Sequence, residues 1–133
     1  MDADSKLILD YAVTPANVHD SNEFENFFNE QDEVGYADSA YVGKKLPKHV
    51  RNEVCEKGYR NKPLTDEQKE NNLRKSKIRC RIEHVFAYMT MSMHGLSVRS
   101  IGIERAAFNI ELTNLVYNLC RYSFLSRKEA VVG

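Results

Sequence analysis

From Asp66 to Met93 the chain contains neither proline nor glycine, the two residues that most reliably end a helix. Within that stretch Ile78, Ile82, Val85, Phe86, Met89 and Met93 recur at helical spacing, which predicts one long helix with Asp66 as its cap. At 100° per residue, Ile82, Phe86, Met89 and Met93 define the buried stripe. Glu83 falls about 110° from the centre of that stripe, on a shoulder shared with Ser76, Arg79, Ala87 and Thr90. Gly95 breaks the helix, and Gly102 precedes a last one from about Ile103 to Phe124. That last helix is apolar around much of its circumference, as expected of a helix sandwiched in a core or in a subunit contact.

The sequence before Asp66 is more broken. Lys6 to Thr14, "KLILDYAVT", is rich in aliphatic and β-branched residues and stops at Pro15, so it reads as a strand. Asp20 with Glu23 makes a capping box, and Phe24, Phe27 and Phe28 share one helical face, so a helix is expected from about Ser21. Val34 to Ala37 reads as a second strand ending at Asp38, Lys44 to Lys57 as a basic helical piece, and the segment between Gly58 and Pro63 as briefly extended. This order predicts an α/β fold with helices packed on a small sheet.

At 133 residues and 42% hydrophobic content, the chain suits a single domain, residues 1–133, with a modest core. No run is long and apolar enough for a membrane span, and "MDADSKLILD" is acidic where a signal peptide is basic, so a cytoplasmic location is expected. Cys55, Cys80 and Cys120 are odd in number and widely separated, the pattern of reduced, mostly buried thiols rather than of a disulfide framework or a zinc site.

The net charge is zero, but it is unevenly spread: residues 1–38 hold ten acids and one base, leaving eighteen bases and nine acids in residues 39–133. A polyanion can use such a basic surface, because each phosphate neutralised by Lys or Arg releases counterions. An acidic half packed on a basic half accounts for the same numbers. Two acids stand out by position. Asp38 follows a strand directly, at the sheet edge where open α/β proteins bind ligands, though by position alone an ordinary helix cap, for which Asp is among the best residues, is the more common role. Glu83 lies among the basic residues Lys75, Lys77, Arg79 and Arg81, where it can pair with Arg79 four positions earlier or ligate a metal.

The runs "YADSAY", "GYRNKPLTDEQKENNLRKSKIRCRIEHVFA" and "LTNLVYNLCRY", with "YAVTPANVHDS" upstream, resemble the C-terminal half of a transposase of the DDE class, in the insertion-sequence-five group. The resemblance implies an incomplete ribonuclease-H-like fold whose first catalytic Asp lies in upstream sequence that this chain does not contain. It makes Asp38 the second catalytic and metal-binding acid and Glu83 the third, with Mg²⁺ or Mn²⁺ as cofactor. Paired divalent cations roughly 3.5 to 4 Å apart stabilise the attacking and leaving oxygens of in-line phosphoryl transfer. Arg60, Lys62, Lys75, Lys77, Arg79 and Arg81 are then expected to bind nucleic-acid phosphates. The implied partner is DNA, both transposon ends and target, together with a further copy of the chain or a full-length transposase, in a bacterial-type cytoplasm at the nucleoid. The chain alone is expected to be inactive. The rival expectation is a non-catalytic remnant that binds DNA or pairs with a full-length transposase.

Overall fold

The structure, a computed structural model, describes residues 1–19, 22–97, 99 and 101–132. It is a mixed α/β arrangement of two short parallel strands, β1 (Val34–Ala37) and β2 (Arg51–Val54), and two long helices, α1 (Asp66–Met91) and α2 (Ile103–Val132). The residues gather into two compact units, one formed by Ala16–Cys80 and the other by Met1–Pro15 together with the chain from Arg81 onward.

In the unit formed by Ala16–Cys80, β1 and β2 run in register from Val34 opposite Arg51 to Ala37 opposite Val54. Phe24, Ala37 and Val54 form a small core, ringed by Phe28, Tyr41 and Leu46. Phe24 meets Phe28 edge-on at 5.1 Å and Tyr41 at 4.8 Å between ring centroids, within the range favoured by aromatic quadrupoles. Gly35 lies under this cluster, where an added Cβ would stand 2.7 Å from Leu46 and 2.9 Å from Phe28.

Two expected helices do not occur among the described residues of this unit. The segment expected to be helical from about Ser21 contains a 3-10 turn, Phe24–Phe27, after which Phe28 is extended. The side chains of Asn29 and Asp32 take up the amides of Gln31 and Asn29, at 3.0 and 2.8 Å, and so offer the backbone a turn in place of a helix. Asp20 and Ser21 lie outside the described residues, and the Glu23 carboxylate accepts from Asn26 Nδ2 at 3.0 Å. Lys44 to Lys57 is loop followed by β2. Pro47 supplies no amide for a helix there and instead accepts from Val50 N in a turn. The amides of Arg51 and Cys55 then donate to the carbonyls of Glu33 and Ala37, at 2.8 and 2.9 Å, extending the parallel pairing at both ends.

In the other unit, Val85, Met89 and Tyr117 form the core, joined by Met1, Ile8, Ile82, Met93 and Leu96. The buried stripe of α1 therefore runs through Val85 and Met89. Phe86, expected inside, is 52% exposed. The expected strand at Lys6–Thr14 is also replaced. Lys6 adopts a left-handed φ of 62°, closing a turn in which Asp2 and Leu7 bond through the backbone. Ser5, Lys6 and Ile8 instead bond to side chains of α2. Asn118 accepts from Ile8 N and donates to Ile8 O, at 2.9 and 2.8 Å, while Tyr117 Oη donates to Lys6 O at 3.0 Å and Arg121 Nε to Ser5 O at 2.6 Å. The Ser5 hydroxyl and amide bond the Asp2 carboxylate and hold its pKa below the ordinary value. Burial raises the pKa of Tyr117, opposed by the Arg121 charge.

The helix boundaries follow local chemistry. The cap of α1 is Thr65 rather than Asp66: Thr65 Oγ1 accepts from Gln68 N at 3.2 Å and Gln68 Oε1 from Thr65 N at 3.0 Å, a reciprocal capping box. The helix closes at Met91, where Gly95 N reaches back to Met89 O at 3.0 Å and His94 takes a positive φ. α2 continues past the expected end at Phe124 to Val132. All three cysteines are free thiols, but only Cys55 is buried.

Candidate functional site

Asp38 stands at the carboxyl edge of the β1–β2 pair, one residue beyond the Ala37–Val54 rung. Its backbone is extended, and its Oδ1 accepts from Ala40 N at 2.7 Å, capping the 3-10 turn Ser39–Tyr41. The cap expected as one alternative is therefore present. The capping bond engages one carboxylate oxygen, and the side chain is half-exposed at the strand end.

The strand end of β2 is held by α1. Asn72 clamps Glu56, accepting from its amide at 2.8 Å and donating to its carbonyl at 2.9 Å. Lys75 Nζ donates to Val54 O at 3.0 Å. Glu53, a buried carboxylate on β2, lies 3.3 Å from Arg51, 3.2 Å from Arg74 and 4.0 Å from Lys75. Burying that acid is tolerable because cations surround it, the usual condition for an ionised group inside a protein.

This arrangement sorts the basic residues. Lys75 is only 12% exposed at its side chain and serves β2. Arg81 Nη1 donates to Ala3 O at 2.5 Å and pairs with Asp4 at 3.1 Å, tying the N-terminal turn to α1. Arg79 is half-buried. Arg60 and Lys62 are exposed on the tight turn in which Tyr59 and Lys62 exchange backbone bonds of 3.0 Å, and Lys77 is exposed on α1. Glu83 is exposed on α1, in the unit that contains the N-terminal turn.

Sequence reasoning missed Glu53, Asn72 and Asn118, each of which fastens a segment to a helix. A polar residue inside an apolar run was the available signal, visible for Asn118 in "LTNLVYNLC". No group of three or more His, Cys, Asp or Glu side chains able to hold a metal ion occurs among the described residues. Among the described residues no helix is long and apolar enough to cross a membrane.

These features define a mixed α/β protein that offers an acid at the carboxyl edge of a parallel strand pair, the edge at which open α/β sheets bind their ligands. Residues 1–119 match the family model described as the transposase DDE domain, and the chain belongs to that family. No curated protein and no solved structure matches it.

Proposed function

We propose that the chain is the C-terminal part of a DDE transposase catalytic domain of the insertion-sequence-five group, with a ribonuclease-H-like fold, and that it handles DNA during strand cleavage and joining. The observation that carries this reading is the position of Asp38, directly after β1 at the carboxyl edge of a parallel pair, in a chain of the transposase DDE family. Asp38 and Glu83 are the second and third acids of the family's catalytic set, and Arg60, Lys62 and Lys77, with Arg79 beside them in sequence, face the phosphates. Lys75 and Arg81 contribute mainly by fixing β2 and the N-terminal turn. In the family the bound divalent cation supplies stabilisation of charge on the transferring phosphoryl group. This chain's own residues supply two acids and the phosphate-facing cations, and alone it is inactive in strand transfer. The partners are transposon-end and target DNA, met in the cytoplasm at the nucleoid.

A non-catalytic DNA-binding remnant is the second reading, favoured by the capping bond that already occupies Asp38 Oδ1. The two differ in what the acids do to bound DNA. A carboxylate close to phosphates repels them, so Asp38→Asn and Glu83→Gln should each tighten duplex binding, by up to about tenfold at low salt. Unchanged affinity in both variants, measured by fluorescence anisotropy, would leave Asp38 as a cap and remove the catalytic assignment.

A further inference from the structure

Glu53 is 8% exposed on β2, and it gathers cations from two elements. Arg51 Nε, two positions earlier on the same strand, lies 3.3 Å from Oε1, and Arg74 Nη2, from α1, donates to Oε2 at 3.2 Å. Lys75 Nζ stands 4.0 Å from Oε2 and is enclosed, with its own bond to Val54 O. Three cations around one acid leave the cluster with a surplus of positive charge. That surplus is turned outward, since the side chains of Arg51 and Arg74 are 65% and 60% exposed. Stability alone does not call for such a cluster, because well-packed apolar residues commonly serve a buried position as well as an ion pair does. What the carboxylate adds is position: it brings guanidinium groups from a strand and a helix to one point and restricts their rotamers.

We propose that Arg51 and Arg74 form a binding site for a phosphate oxyanion, with Glu53 as its positioning residue. A guanidinium carries five N–H donors in a planar fork. The contact with Glu53 leaves most of each fork in solvent, where it matches the oxygens of a phosphate. Free phosphate and the phosphodiester of a nucleic-acid backbone share that chemistry. The place in the fold favours the backbone. Tyr36, the register partner of Glu53, precedes Asp38 by two positions, which sets Glu53 about 7 Å along the strand from the level of that acid, or about two nucleotide rises. The choice of the backbone rests on the function proposed above, whereas the oxyanion site does not. Arg51 and Arg74 stand apart from the six basic residues that the family resemblance assigns to phosphates, and only their shared contact with Glu53 selects them.

The test follows the Nε–H signals of both arginines by NMR while the full chain is titrated with inorganic phosphate, and measures duplex affinity by fluorescence anisotropy. Both signals should move together. Arg51→Lys combined with Arg74→Lys keeps every charge at two exposed positions and removes the forks, so phosphate and duplex should each bind about tenfold more weakly. Glu53→Gln separates position from charge. Loss of a carboxylate would by Coulomb's law alone tighten anion binding, but loss of the anchor frees two side chains that binding must then immobilise. Phosphate should therefore bind about threefold more weakly to this variant, in a chain whose circular dichroism shows it folded. Tighter or unchanged binding in Glu53→Gln would overturn the positioning role. Arginine signals that phosphate does not move, or phosphate affinity unchanged by the lysine pair, would overturn the site even where duplex binds through other cations. A site that holds phosphate in a chain that binds no duplex would stand as a free-phosphate site and remove the nucleic-acid reading.

Discussion

Glu53 shows how single residues hold this protein together. It is an acid on a four-residue strand, nearly buried, and what makes it tolerable is the set of cations from Arg51, Arg74 and Lys75 around it. Those cations do not lose their partners symmetrically. Arg51 and Arg74 are well exposed and can return to water, whereas Lys75 is enclosed and bonded to Val54 O. Glu53→Ala should therefore cost about 1 to 3 kcal/mol, less than the loss of a fully desolvated pair, and the loss should show as a lower urea midpoint with an unchanged slope. Asp38 obeys a simpler local rule. Its extended backbone and its bond to Ala40 N are those of a cap, so the same carboxylate that the family resemblance marks as catalytic also ends β1 cleanly.

At the scale of elements, what could be read from the sequence was what local chemistry decides. The β1 strand at Val34–Ala37 and the two long helices follow from apolar spacing and from the placement of glycine and proline. The edges were less legible: Thr65 caps α1 where Asp66 was expected, since a Thr followed three residues later by Gln closes a reciprocal pair. Thr65→Ala should cost about 1 kcal/mol and increase hydrogen exchange at Gln68 before it affects the second turn. What the sequence concealed was long-range pairing. Lys6–Thr14 has the composition of a strand, but its Lys6 and Ile8 bond to Tyr117 and Asn118 of α2, more than a hundred positions away. Arg51–Val54, read as helix, becomes a strand because β1 offers it a register that helical propensity could not reveal. The rotation of the α1 stripe from Phe86 to Val85 has the same origin, because Tyr117 and Ile8 determine which face is covered.

For the whole molecule, the division into an acidic beginning and a basic remainder has a mixed outcome. Asp4 pairs with Arg81 and Glu25 accepts from the amide of Lys45, while Asp2, Asp32 and Asp38 spend carboxylate oxygens on backbone amides within their own turns. Of the six basic residues assigned to phosphates, Lys75 and Arg81 are engaged internally, while Arg60, Lys62 and Lys77 stay exposed. The place of Asp38 at a strand end was legible from sequence, because the apolar run Val34–Ala37 stops there. The division of labour among the cations was not, since it depends on which carbonyls and carboxylates fold back to meet them. The central claim, that this chain handles DNA through its exposed cations, is tested most directly by the salt dependence of duplex binding. The account predicts that log K falls linearly with log salt, that the triple variant Arg60→Gln, Lys62→Gln, Lys77→Gln flattens the slope by up to about 3 units, and that Lys75→Gln leaves the slope unchanged while lowering stability. A slope that is equally steep in the triple variant, or a wild-type chain that does not bind duplex DNA at low salt, would contradict it.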